Sequence, residues 1–219
     1  MIEQLPFKYL ILRAVLRHVS PMVIRQVAVS DQTSLPEFND IFCAILGWGG
    51  NLGYIFRVHA KEFNSFRRKT LYEFMLHRQE KFLYIWDTLH MWEWDIQVLD
   101  IHEGTKKDED PACLGGRGAT PPEFCGGPTG YRLMLKRQSE GSAMLAPAMV
   151  ETGILMLAEA CPDQPPQTWD LLRTAMDDGL RSIDLRLKES GPLEPERFSL
   201  QEANERLRIF TQRRRGFWL

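Results

Sequence analysis

The chain has 219 residues, 44% hydrophobic and 26% charged, with a formal net charge of −2. That composition is ordinary for a soluble globule of one large domain, or one domain with an appendage, and the charge gives no general argument for nucleic-acid binding. Four cysteines in a chain of this length exclude a disulfide scaffold, so a reduced, cytoplasmic protein is expected.

Two apolar stretches are tested first as membrane or export segments. The opening, MIEQLPFKYLILRAVLRHV, is broken by Lys8, Arg13 and Arg17 and has no small-residue cleavage site after it. Residues 143–160 are interrupted by Pro147, Glu151 and Glu159, whereas a spanning helix needs about 20 residues almost free of charge. A buried core helix is expected there, and no membrane partner.

In chain order, Phe7 to Val19 reads as a strand, followed by a turn at Ser20-Pro21. Val23, Val27 and Val29 rebuild a second strand, which makes a hairpin. Ser34 to Glu37 is a capping box. Leu35, Phe38, Ile41, Phe42 and Ile45 then repeat at helical spacing up to Gly47, which suits a left-handed cap. Trp48 and a Gly49-Gly50-Asn51 turn lead into a strand over Tyr54 to His59. Residues 60–81 show no clear period. Phe82 to Trp86 and Trp92 to Ile101 are two more strands, the second alternating as a half-buried antiparallel strand does. Trp92 and Trp94 then share one face. A charged loop, Lys106 to Asp110, follows.

Residues 113–131 read CLGGRGATPPEFCGGPTGY, with six glycines, three prolines and two cysteines in nineteen residues. Glycine loosens the backbone and proline removes donors, so the segment predicts a shaped loop rather than a helix or a central strand. Helical patterns follow. One runs from Ser142 to Ala160. A second, capped by Thr168, carries the stripe Trp169, Leu172, Met176, Leu180, Ile183 and Leu187. A third opens at the capping box Ser199 to Glu202, with Leu200, Ala203, Leu207 and Phe210 inward. A strand-rich front and a helical back predict an α+β fold, an antiparallel or mixed sheet packed by helices. The expected organisation is a core over residues 1–138 and a helical extension over 139–219 packed on it, ending in a basic tail.

Four stretches together resemble the plasmid pRiA4b ORF-3-like family of plasmids and other mobile elements. SPMVIRQVAV, with Arg25, is similar to its proline-then-arginine second strand. Leu35 to Trp48 is similar to its helix ending in Gly-Trp. The cysteine and PPE-x-x-GG-x-x-GY segment at Cys113 to Tyr131 and the closing PERFSLQEANERL are the more specific matches. The resemblance implies a small α+β fold and a mobile-element passenger. The family's paired histidines fall where Leu52 and Tyr54 stand, its Trp-Glu-His ends here in Trp94, and one of its cysteines is Thr120. Residues 140–190 read as an added helical segment.

Four kinds of chemistry compete. Cys113, Cys125, His90 and His102 are metal-ligating types, but no pair has the close spacing of a zinc knuckle; no cofactor is expected. Among Asp87, Glu93, Asp95, Asp100 and Glu123, the last is the best placed carboxylate for acid–base work, with capping of the amides after it as its structural alternative. Nothing matches a nucleophile elbow or a P-loop, although Arg117 lies in a GGRG run. Arg67, Arg68 and Lys69, and Arg213, Arg214 and Arg215, stand beside aromatics and can meet phosphates and bases, or form solvated tails. Finally, six tryptophans and twelve phenylalanines make either a large aromatic core or binding hot spots. The preferred reading is a non-enzymatic accessory protein that binds another protein, such as a component of a host defence complex, with Arg25, Trp48, Trp92, Trp94, Arg117 and Glu123 as binding residues. DNA or RNA binding through the basic segments is the alternative, and a degenerate enzyme or metal protein the third. The oligomeric state is left open.

Overall fold

A computed structural model describes residues 8–49, 52–64, 69–103, 110–140, 154, 157–159, 161–190 and 193–216. Seven strands form one sheet: β1 (Lys8–Leu16), β2 (Ile24–Ser30), β3 (Tyr54–Val58), β4 (Lys61–Asn64), β5 (Lys81–Trp86), β6 (Trp92–Glu103) and β7 (Ala112–Arg117). Their order is β4-β3-β5-β6-β1-β2-β7, and every pairing is antiparallel. Helix α1 (Leu35–Leu46) follows the first hairpin, α2 (Gly127–Glu140) and α3 (Pro166–Ser190) follow the sheet, and α4 (Leu200–Gly216) closes the chain. The fold is α+β.

The chain divides into two compact units, Met1–Tyr131 with Pro195–Leu219, and Arg132–Glu194. In the first, successive side chains of a strand point to opposite faces, and burial follows that period over most of β1, β2 and β6, whereas β5 is buried on both faces. Leu10, Leu12, Ala14 and Leu16 of β1, Val27 and Val29 of β2, and Trp92, Trp94, Ile96 and Val98 of β6 are all buried. Phe38 and Phe42 of α1 pack edge-on against Tyr84, with ring centroids 6.1 and 5.6 Å away, and Phe42 meets Trp94 at 4.9 Å. Trp92 and Trp94 do share one face, and it is the core face.

Local signals explain the ends of α1. The Ser34 hydroxyl accepts from the Glu37 amide at 3.3 Å, and Gly47 ends the helix at φ 79°. Only half of the expected capping box forms, because the Glu37 carboxylate pairs with Arg214 instead. No basic residue stands in the last turn of α1. Arg206 of α4 supplies one, donating from Nε to the Ala44 carbonyl at 3.2 Å and from Nη2 to that of Ile45 at 2.8 Å. This satisfies two end carbonyls and places a cation at the negative helix end.

The glycine-rich segment is not one loop. Its first third is the edge strand β7, and its last residues begin α2. An edge strand tolerates glycine, and Gly116 is needed there: a methyl group on it would lie 2.7 Å from the Ile24 carbonyl oxygen and 2.8 Å from the Phe198 ring. Helix α2 starts at Gly127 because the glycines and Pro128 occupy its first turn, where amides have no helical partner in any case. The loop proper is 118–126. Residues 60–81 hide a period because the described residues before β5 form the short, exposed β4 and the 3-10 turn Leu71–Phe74.

The edge of β7 is closed by a side chain. Asn204 of α4 accepts from the Cys113 amide at 3.0 Å and donates to its carbonyl at 2.8 Å, standing where a further strand would pair. Ala203 and Leu207 are buried as expected, but Leu200 is exposed and Phe210 half-buried. In the second unit, α3 begins at Pro166, so Thr168 lies within its first turn rather than capping it. Trp169 and Leu172 are half-buried and Met176 exposed. The expected helix over 142–160 lies outside the described residues, except that 154 and 157–159 are helical. Among the described residues no helix is long and apolar enough to cross a membrane.

Candidate functional site

Register places three loops at one end of the sheet. Tyr54 pairs with Trp86 and Trp86 with Trp92, Leu16 with Trp94, and Ile24 with Arg117. The segments before β3 (47–49 and 52–53), between β5 and β6 (87–91) and after β7 (118–127) therefore emerge together. Three ties join them. The Gly49 amide donates to Glu123 Oε2 at 2.8 Å. Gly53 packs on Thr88, whose Oγ1 would be 3.2 Å from an added methyl. Gly127 packs on His90, whose carbonyl oxygen would be 2.6 Å from one. Gly127 also has φ 77°, so both its backbone and its contact require glycine.

Under this ring lie four tryptophans. Trp48 stacks on Trp86 with centroids 4.5 Å apart and meets Trp92 at 5.5 Å and Trp94 at 6.1 Å. Its indole donates to the Pro121 carbonyl at 2.9 Å, which pins the 118–126 loop to the end of α1. Trp86, Trp92 and Trp94 are completely buried, and their indole N–H groups have no hydrogen-bond partner. As core residues they present no surface, so of the two readings of the aromatic surplus the structure has the large aromatic core.

Asp87 orders the middle loop. Its carboxylate is buried, accepts from the Leu89 and His90 amides at 3.1 and 3.3 Å, and lies 2.6 Å from His90 Nδ1. Around it the apolar side chains point outward: Leu89 is 81% exposed, Leu52 42% and Met91 41%. Glu123 does not cap the amides after it; it reaches the Gly49 amide, 74 residues away in sequence.

Arg25 is buried rather than presented. Its Nη1 donates to the carbonyls of Ile24 (2.6 Å) and Arg117 (3.1 Å), and its Nη2 to Thr120 Oγ1 (2.9 Å). The Phe198 ring lies 4.5 Å over the guanidinium. Arg117 itself is exposed. Burial pulls the Arg25 pKa down to about 10, and the neighbouring Arg206 charge adds to this.

The four metal-ligating types do not converge. The Cys113 thiol faces the Gly115 carbonyl at 3.6 Å, the Cys125 thiol that of Gly127 at 3.7 Å, His90 faces Asp87, and His102 stands 3.7 Å from Asp100. Among the described residues no group of three His, Cys, Asp or Glu is placed to hold a metal ion. Burial raises the Cys113 thiol pKa and pushes that of Cys125 up to about 12.

In the two basic segments Lys69 pairs with Glu73 at 2.9 Å and Arg214 with Glu37; nearby on α4, Arg206 caps α1 and Arg208 pairs with Glu205 at 2.7 Å. Arg213 is exposed. Arg67 and Arg68 lie outside the described residues, as does the side chain of Arg215. The residues that sequence reasoning missed are Asn204 and Arg206. For Arg206 the signal was available: α1 ends in unpaired carbonyls with no cation of its own.

Comparison with known proteins agrees with this architecture. Over 133 residues the chain is 29% identical to the uncharacterized protein y4hQ of Sinorhizobium fredii, covering 55% of this chain and 68% of that one. A crystal structure of a protein of unknown function from Methanosarcina mazei superposes with a TM-score of 0.56 at 19% identity, over 73% of this chain and 93% of that one. That likeness is one of fold. The plasmid pRiA4b ORF-3-like protein family matches residues 8–144, from β1 through the glycine-rich segment and α2, and the chain belongs to that family.

Proposed function

We propose that this protein is a non-enzymatic accessory protein of a plasmid or other mobile element, and that it binds another protein through the ring of loops. The observation that carries this reading is the exposure of Leu52, Leu89 and Met91 on loops held by mutual ties above a rigid tryptophan core. Large apolar side chains presented on a firm platform are what protein interfaces use as anchors. The nearby carboxylates are occupied internally, Asp87 by His90 and two amides and Glu123 by Gly49. What remains for a partner is apolar surface, which fits an apolar protein segment better than a phosphate backbone. A component of a host defence complex is one target class consistent with a mobile-element passenger.

The test is capture of partners by tagged wild type and by Leu89→Asp from the native host, with nuclease and high-salt washes. A partner retained by wild type and lost by Leu89→Asp supports the reading. A partner retained equally by both would sink it. The second reading, DNA or RNA binding, is favoured, among the described residues of the basic segments, by the exposed Arg213. It predicts affinity that falls steeply with salt and drops on Arg213→Ala.

A further inference from the structure

The alternation of β2 puts Arg25 on the core face, in the same row as Val27 and Val29, and Arg25 is 2% exposed. An arginine in a core position needs a compensating negative charge, because burying an unpaired ion is costly. None of its hydrogen bonds is to a carboxylate. The full charge that acts on it is that of Arg206, a second cation, since burial raises the pKa of the neighbouring Cys113 thiol and keeps it uncharged. Its Nε–H is buried without a partner. Nε and Nη2 form the edge of the guanidinium that grips carboxylates and phosphates in bidentate fashion, and here that edge holds only Thr120 Oγ1 on Nη2. The Thr120 hydroxyl accepts from Nη2, which leaves its own proton to donate.

We propose that Arg25 is the base of a closed binding site for a phosphate-type oxyanion, with Thr120 as its second donor and Phe198 as its cover. An oxyanion supplies the missing negative charge and several acceptors at once. Phe198 belongs to a segment without regular structure, residues 193–199, which is tied to the 118–126 loop by the bond from the Ala119 amide to the Pro195 carbonyl, 2.9 Å. Its ring packs on Gly116 and on the guanidinium face. Entry of the anion requires that segment to lift, so the site couples anion binding to the connection that leads into α4.

The probes are inorganic phosphate and sulfate, with sodium chloride at matched ionic strength as control, read by isothermal titration and thermal unfolding of the full chain. Saturable uptake of one anion, with a midpoint rise of about 2 °C or more, is expected. Thr120→Val and Arg25→Lys, which remove a donor or the fork, should weaken it by about tenfold or more. Phe198→Ala removes the cover and should tighten phosphate. Where Arg25→Lys fails to fold, Thr120→Val and Phe198→Ala carry the test. The absence of saturable uptake by both wild type and Phe198→Ala overturns the proposal. Binding that is unchanged in Thr120→Val and Arg25→Lys marks an adventitious ion only, and overturns it equally.

Discussion

Replacing Asn204 by leucine tests how the sheet is closed. Leucine has the same branched shape, though it is bulkier and has a higher helix propensity, and the substitution removes the two bonds to the Cys113 amide and carbonyl, at 3.0 and 2.8 Å, together with a third from Nδ2 to the Leu200 carbonyl at 3.2 Å. A typical hydrogen bond contributes about 0.5–1.5 kcal/mol net, so losing two from a partly buried edge should cost about 1–3 kcal/mol. For a chain of this size that is a fall in midpoint of roughly 2–12 °C. Urea unfolding followed by tryptophan fluorescence is the assay, because Trp48, Trp86, Trp92 and Trp94 are buried in the sheet-containing unit. Hydrogen exchange at the Cys113 amide should accelerate in parallel, and size-exclusion chromatography should reveal association through the unblocked edge. A loss below about 0.5 kcal/mol, with unchanged exchange at Cys113, would refute the reasoning: the edge would then be closed by the bulk of α4 and not by the Asn204 amide.

Glu80 gives a pH prediction. Burial pushes its carboxyl up, but the His77 amide and the His59 and His77 imidazoles together outweigh this and hold its pKa below the ordinary value. A depressed carboxyl stabilises the fold above its unfolded pKa, and that contribution is lost as pH falls through the folded pKa. Stability measured from neutral pH into the acid range should therefore fall more in wild type than in Glu80→Gln; parallel curves would contradict it. The thiols give a reactivity prediction. Cys43 is buried, with its pKa pushed up to about 12 by burial, Cys113 and Cys125 are also buried, and Cys161 is exposed. One fast thiol should react with an aromatic disulfide reagent in the native protein, and Cys161→Ser should abolish it. Fast reaction surviving in that variant would show that one of the buried cysteines becomes exposed.

The sequence by itself determined the elements whose signal is local. The β1–β2 hairpin, α1 with its Ser34 cap and Gly47 stop, and the alternation that puts Trp92 and Trp94 on one face all rest on neighbouring residues and fixed periods. Family membership was legible too, from the glycine-rich segment, which lies within the matched residues 8–144. Tertiary structure decided what depends on partners distant in the chain. The segment at 113–131 reads as a loop because glycine and proline lower local preference, yet its first part becomes a strand by pairing with β2 and being covered by α4. Glu37 belongs to Arg214, Glu123 to Gly49 and Arg206 to the end of α1, and no spacing rule encodes such pairs. The aromatic surplus read equally as core or as binding surface; the single sheet face and α1 resolved it by enclosing Trp86, Trp92 and Trp94 and leaving the smaller Leu52, Leu89 and Met91 outside. A side chain's type is written in the sequence, but whether it meets water or another side chain depends on which strands become neighbours.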